Sequence, residues 1–242
     1  MATLSHRRYL LFLTVIFALL WGWLAIAPHD RPAWALENAL VVAFVLAMAA
    51  TYRVFPLSRI SYTSIFLFLC LHEVGAHFTY ANVPYDAAFR SLFGVSLNDT
   101  FGFERNHFDR AIHFSYGLLL AYPIREVFIR VANVRGFWGY FLPLDLTMST
   151  SMLFELFEWI AAELFGGDLG ITYLGSQGDE WDAQKDMALA SVGALLTMAL
   201  TAAVNIRLQR DFVDEWVSSL RVKQRRPLGE NAVWWKRRTK NK

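Results

Sequence analysis

The chain has 242 residues, 55% of them hydrophobic and only 18% charged. That length suits one domain, or at most two small ones. A soluble globular domain carries about 25% charged residues, so the composition excludes an ordinary soluble fold. The formal net charge of +2 conceals an uneven spread, because residues 207–242 hold eleven of the 23 Lys and Arg. The single cysteine, Cys70, lies in an apolar run and reads as a small buried hydrophobe, with no partner for an intramolecular disulfide.

A bilayer core of roughly 30 Å takes about 20 residues of helix at 1.5 Å each. In chain order, the apolar runs are Tyr9–Ala27, Asn38–Tyr52 (extending back through Trp34 to Glu37), Ile60–Tyr80, Phe108–Ile129, Phe137–Leu164 and Trp181–Ile206. None alternates with period two, so none reads as a strand. The expected architecture is all-α: a polytopic transmembrane bundle of about six helices. A transmembrane domain would cover 1–206, with its core helices within 60–206, and a basic tail would cover 207–242.

Lys and Arg between the runs set the orientation. Arg7, Arg8, Arg53, Arg59, Arg125, Arg130, Arg135 and the tail fall on one side. Arg31, Arg90, Arg105, Arg110 and Lys185 are spread over longer connections on the other. Both termini are therefore expected in the cytoplasm. The start also has the form of a secretory signal ending in Ala25-Ile26-Ala27, whose removal would leave five helices. The length of the apolar run, Trp21, Trp23 and the following Pro28 favour a retained helix.

The connection Ala81–His107 mixes turn formers with aromatics and is expected to lie on the bilayer surface or cap the bundle. Gly166–Glu180, with five glycines, reads as an irregular loop. Trp216, Trp234 and Trp235 among the tail cations suit contact with anionic inner-leaflet lipid; a solvated tail that only fixes topology is the other reading.

Ionisable groups within apolar spans carry most of the information, because they are costly there. The third span holds His72, Glu73 and His77; the fourth opens with Asp109 and His113; the fifth carries Glu155, Glu158 and Glu163; the sixth opens with Asp182, Lys185 and Asp186. With alternating helix directions, all of these fall near the outer ends of their spans. Glu73 and His77, Asp109 and His113, and Asp182 and Asp186 are each four apart, and Glu155 and Glu158 three apart, so each pair lies on one helix face. So many carboxylates in a low dielectric need bound cations, shared protons, or Lys185, Arg110 and protonated His as compensation.

Inward carboxylates with His partners at such spacings are how helix bundles hold metals, and a mixed carboxylate and imidazole set suits Zn, Mn or Fe. The expected ligand pool is Glu73, His77, Asp109, His113, Glu155, Asp182 and Asp186, with Glu158 as a catalytic base. A lone His or Glu near a helix end is usually harmless. The cluster as a whole is either a functional site or a structural salt-bridge network. His72-Glu73-Val74-Gly75-Ala76-His77 is not the zinc-protease H-E-x-x-H, because its second His comes one residue late. There is no Gly-rich phosphate loop, Ser nucleophile elbow or nucleic-acid module.

The segments LHEVGAHFTYANVPY (71–85), FDRAIHFSYGLLLAYPIRE (108–126), ELFEWIAA (155–162) and YLGSQGDEWDAQKDM (173–187) resemble the YjdF-type family of bacterial inner-membrane proteins. The resemblance covers about residues 60–200. It implies a multi-pass location in the inner membrane and this architecture, but no established activity. A shorter likeness, Asp109-x-x-x-His113-Phe114 followed by Asp186-Met187 and Gly193-Ala194, is similar to VanZ-like membrane proteins.

The leading expectation is a metal-binding membrane protein, a hydrolase acting on a lipid or envelope substrate. The alternative is a non-enzymatic binding or transport protein whose acids carry protons or a cationic solute. Membrane lipid is the expected partner in either case, with a small-molecule ligand of unknown kind.

Overall fold

The computed structural model describes residues 5–167, 176–208 and 212–223. All regular structure among them is helical. Six long helices, α1 (His6–Leu24), α2 (Arg31–Thr51), α3 (Arg59–Phe78), α6 (Phe108–Val131), α7 (Trp138–Phe165) and α8 (Asp182–Leu208), have 19 to 28 residues each. Three short ones, α4 (Tyr85–Phe93), α5 (Leu97–Phe101) and α9 (Phe212–Ser219), decorate the two ends. Of the long helices, α1, α2 and α8 are both long and apolar enough to cross a membrane. The remaining three are long enough but carry many of the ionisable residues.

Local chemistry fixes the helix starts. The Ser5, Asp30 and Ser58 side chains accept backbone N–H groups of Arg8, Ala33 and Ser61, satisfying donors that the first turn leaves open. At the second span this moves the boundary. Asp30 and Pro32 start α2 at Arg31 rather than near Asn38, which places Glu37 and Asn38 inside the helix, where both are buried. α3 ends at Thr79 and Tyr80, both in the left-handed region (φ 57° and 49°), and the turn folds the Tyr80 ring back along the helix. Only glycine fits beneath it, because a Cβ at Gly75 would stand 2.3 Å from Tyr80 Cε1.

α3 and α6 run antiparallel, tied at one end by Glu126, which accepts the Ser58 N–H and the Ser61 hydroxyl. α6 and α8 run parallel and nearly touch: a Cβ on Gly117 would lie 1.9 Å from the Ala190 carbonyl, and one on Gly193 2.2 Å from the Phe114 carbonyl. Small residues at a helix crossing of this kind let backbones approach in a membrane bundle. α7 fills the angle between them, antiparallel to both. Arg125 sits 4.6 Å from the Tyr140 ring centre, and Asn205 donates to the Tyr140 hydroxyl at 2.7 Å. α1 and α2 pack on the other face of α3.

The 81–107 connection contains α4 and α5, held together by Asp86, which accepts the Asn98 N–H and the Ser96 hydroxyl. It joins the bundle end: Asn106 donates to the Val83 carbonyl and Arg105 to that of Ser176. Leu92, Phe93 and Phe101 remain exposed. At the opposite end α9 folds onto the start of α7, where Ser219 Oγ accepts the Phe137 N–H. The tail beyond 223, with Trp234 and Trp235, lies outside the described residues, as do 168–175 of the glycine-rich loop.

Candidate metal centre

The α6–α8 seam delivers the site. On α6, Asp109, His113 and Gly117 follow each other at four-residue steps, and on α8 Asp186, Ala190 and Ala194 do the same. The glycine contact therefore continues along the same two faces, toward one end of the bundle, into acids and an imidazole. Asp109, His113 and Asp186 each offer a ligand atom, and these atoms all lie within 4.8 Å of one another.

α7 adds Glu155. His113 Nε2 stands 3.4 Å from Glu155 Oε1 and 3.7 Å from Asp109 Oδ1. These separations are long for hydrogen bonds, which run about 2.7–3.2 Å. Ligands at about 2.1 Å from a tetrahedral ion stand roughly 3.4 Å apart, so the spacing suits atoms that share a cation. Among the described residues Asp186 Oδ1 and Glu155 Oε1 have no hydrogen-bond partner, and Asp186 is only 2% exposed. A buried carboxylate oxygen without a partner is expensive unless something else meets it.

The nearby fixed cations are engaged elsewhere. Arg105 hydrogen-bonds Asp182, Arg110 hydrogen-bonds Asp179, and Lys185 Nζ meets Asp179 at 2.6 Å. Asp182 thus belongs to an ion-pair lattice at the mouth of the site. In that loop Asp179 is held down to about pKa 2, first by its hydrogen bond with Lys185 and then by the Trp181 N–H. Asp86 in the 81–107 connection is also lowered, mainly by the Asn98 N–H it accepts.

The structure separates the other expected ligands. His77 turns toward α1, with Nδ1 2.7 Å from the Leu24 carbonyl. Glu73 is fully buried on the α2 side of α3, and among the described residues neither of its oxygens has a hydrogen-bond partner. It belongs to a second polar group, in which His72 Nδ1 pairs with the Tyr80 hydroxyl at 2.7 Å and His72 Nε2 lies 4.0 Å from Glu37 Oε2. Close by, Asn38 Oδ1 accepts the Trp21 indole N–H. Glu37, Asn38 and Tyr80 do not stand out in the sequence as site residues. The available signal was an acid inside an apolar run, obscured by starting the second span one residue after it.

Glu158 joins the two groups. It lies within electrostatic reach of Asp109, Glu155, Asp186 and Glu37. With His72, Tyr80, Asp109 and His113 it lines one end of a cavity of about 370 Å³. The rest of that cavity is walled mainly by apolar side chains of α2, α3, α6 and α7, with Tyr116, Thr150 and Ser151 among them.

Residues 9–207 match the family described as "Predicted membrane protein (DUF2238)". The chain is similar to the protein named "Inner membrane protein YjdF" of Escherichia coli (strain K12), 37% identical over 188 residues, or 77% of this chain and 86% of that relative. No solved structure matches. The family match covers most of the length, and the similarity to YjdF is the one the four quoted segments implied: the chain belongs to the DUF2238 family of predicted membrane proteins.

Proposed function

We propose that this is a multi-pass inner-membrane protein in which Asp109, His113, Asp186 and Glu155 hold a divalent cation. In this reading it hydrolyses an ester or phosphoester bond of a lipid or envelope substrate. The location is inferred from the relative's name and the apolar helices. The observation that carries the metal reading is three ligand atoms within 4.8 Å, drawn from two helices, beside a buried carboxylate oxygen without a partner. The carboxylate and imidazole set suits Zn, Mn or Fe. Such an ion, when bound, lowers the pKa of water and polarises the substrate oxygen. In this reading Glu158, which lines the cavity with Asp109 and His113, takes the proton of the attacking water and returns it to the leaving alkoxide.

Elemental analysis of protein purified without chelator should find near-stoichiometric transition metal. Asp109→Asn and Asp186→Asn should each lower it at least about tenfold, given that even outer-shell partners of metal ligands are worth 10–100-fold. Size-exclusion behaviour and membrane insertion should be retained. A preparation that holds no metal and gains no thermal stability on adding Zn or Mn would sink the reading. The second reading, a non-enzymatic carrier of protons or a cationic solute, draws on Glu37 and Glu73, buried carboxylates that stand apart from the ligand triad. Protonation changes near neutral pH in metal-free protein, followed by infrared carboxyl bands, would then be its measure.

A further inference from the structure

We infer that the apolar cavity is a lateral groove holding one hydrocarbon chain of a membrane amphiphile, a chain long enough to pass the bilayer midplane, with its polar head at Asp109, His113 and Glu158. The identity of the head chemistry rests on the metal reading above; occupancy of the groove by a chain does not.

The groove follows one stripe of α6. Asp109, His113, Tyr116, Leu120, Ile124 and Val127 recur at three- and four-residue steps and all line it. Eighteen residues of helix at 1.5 Å each make it roughly 27 Å long. A leaflet's share of a hydrocarbon core about 30 Å thick is only about 15 Å. The acids and imidazoles stand at one end, Tyr116, Thr150 and Ser151 follow, and from Leu120 to Val127 the lining side chains of α6 are hydrocarbon. The cavity thus has the polarity of an amphiphile drawn along its length.

The side opening follows from the packing. α2 packs on α3, α3 on α6 and α6 on α7, but α2 and α7 make no extended contact and the ring is not closed. Phe44 of α2 and Phe154 of α7 both line the slot, and Phe44 is 39% exposed. Along the Leu120–Val127 stretch water has too few polar partners to fill such a space. In a bilayer the medium at the opening is itself hydrocarbon, so a chain enters without crossing water. It gains little by transfer alone, because lipid tails are as apolar as Leu. Selection therefore falls to the length of the groove and to the head.

Two probes in nanodiscs test this. One is a polyprenyl phosphate, and the other a C16 phosphatidylglycerol, each with a photoreactive diazirine at the far end of its chain. The polyprenyl probe should label Leu57, Ile124 or Val127 several-fold above the lipid-facing controls Leu19 and Leu200, mapped by peptide mass spectrometry. The C16 probe, shorter than the groove, should label no farther along it than about Leu120. Leu120→Trp, which plugs the middle, should abolish labelling beyond it while leaving metal content unchanged. Labelling no stronger than at Leu19 and Leu200 in the wild type overturns the groove, and so does equal labelling of Leu57 and Val127 by the C16 probe. The metal-free Asp109→Asn/Asp186→Asn variant should still be labelled. Labelling in wild-type protein that holds no metal would leave the groove standing and remove only the metal reading, whereas a metal-loaded wild-type protein without labelling removes the groove alone.

Discussion

Replacing His77 with Ala should leave bound metal unchanged, because its Nδ1 faces the Leu24 carbonyl rather than the triad. The Asp186→Asn variant provides the contrast in the same elemental assay; equal losses from both would place His77 in the centre after all. Asp179 makes a pH prediction. Its pKa is lowered to about 2 in the folded protein by Lys185 and the Trp181 N–H, against 3.8 ordinarily. A depressed carboxyl stabilises the folded form above the unfolded pKa and loses that contribution as pH falls through the folded one. The Arg105 and Arg110 anchorage of this loop should therefore hold above about pH 4 and loosen toward pH 2. Hydrogen-exchange protection of 104–110 and 176–185, corrected for intrinsic rates, should show that loss. Asp179→Asn should remove the pH dependence across that window; a wild-type loop equally protected at both ends would contradict the assignment.

The α6–α8 crossing governs whether the centre exists. Gly117→Val places a side chain where the Ala190 carbonyl already stands, so the helices must separate. Overpacking of this kind costs about 1–3 kcal/mol, and the spreading moves Asp109 and His113 away from Asp186. Thermal stability in detergent and metal content should fall together. Gly22→Ala, at a helical site with nothing within 4 Å, should change neither for the worse. If Gly117→Val retained full metal content, the crossing would not be what positions the ligands. α3 contributes differently: Gly75 makes room for the Tyr80 ring, and that ring ties His72 to the cavity end.

Across the whole molecule, the six long helices alternate in direction, so α3, α6, α7 and α8 bring their polar residues to one end. The Lys and Arg distribution predicts that this end faces away from the cytoplasm. A reporter active only outside the cytoplasm should work when fused after Asn98 or Gly167, and should fail at Arg135 or Lys242. The opposite pattern would invert the protein and turn the site toward the cytoplasm. Three of the helices meet the apolar criterion for spanning by themselves. Buried acids or imidazoles on α2, α3, α6 and α8 (Glu37, His72, Glu73, His113, Asp182 and Asp186) are covered by neighbouring helices, as polar groups in an apolar bundle must be.

Helical class and the family were legible in the chain itself, because bilayer thickness imposes run length and the quoted segments are specific, whereas the start of α2 at Arg31 and the short helices α4, α5 and α9 were not. So were the four-residue pairs Asp109–His113 and Asp182–Asp186, since helical period alone puts each pair on one face. Which faces meet was decided only in three dimensions. A spacing rule cannot tell that Gly117 and Gly193 draw α6 against α8, or that His77 turns to α1. Nor can it tell that Asp182 is taken by Arg105, or that Glu37 of α2 approaches His72 of α3. Spacing along one helix constrains that helix's own faces, while partners between helices follow from packing contacts that no single segment encodes.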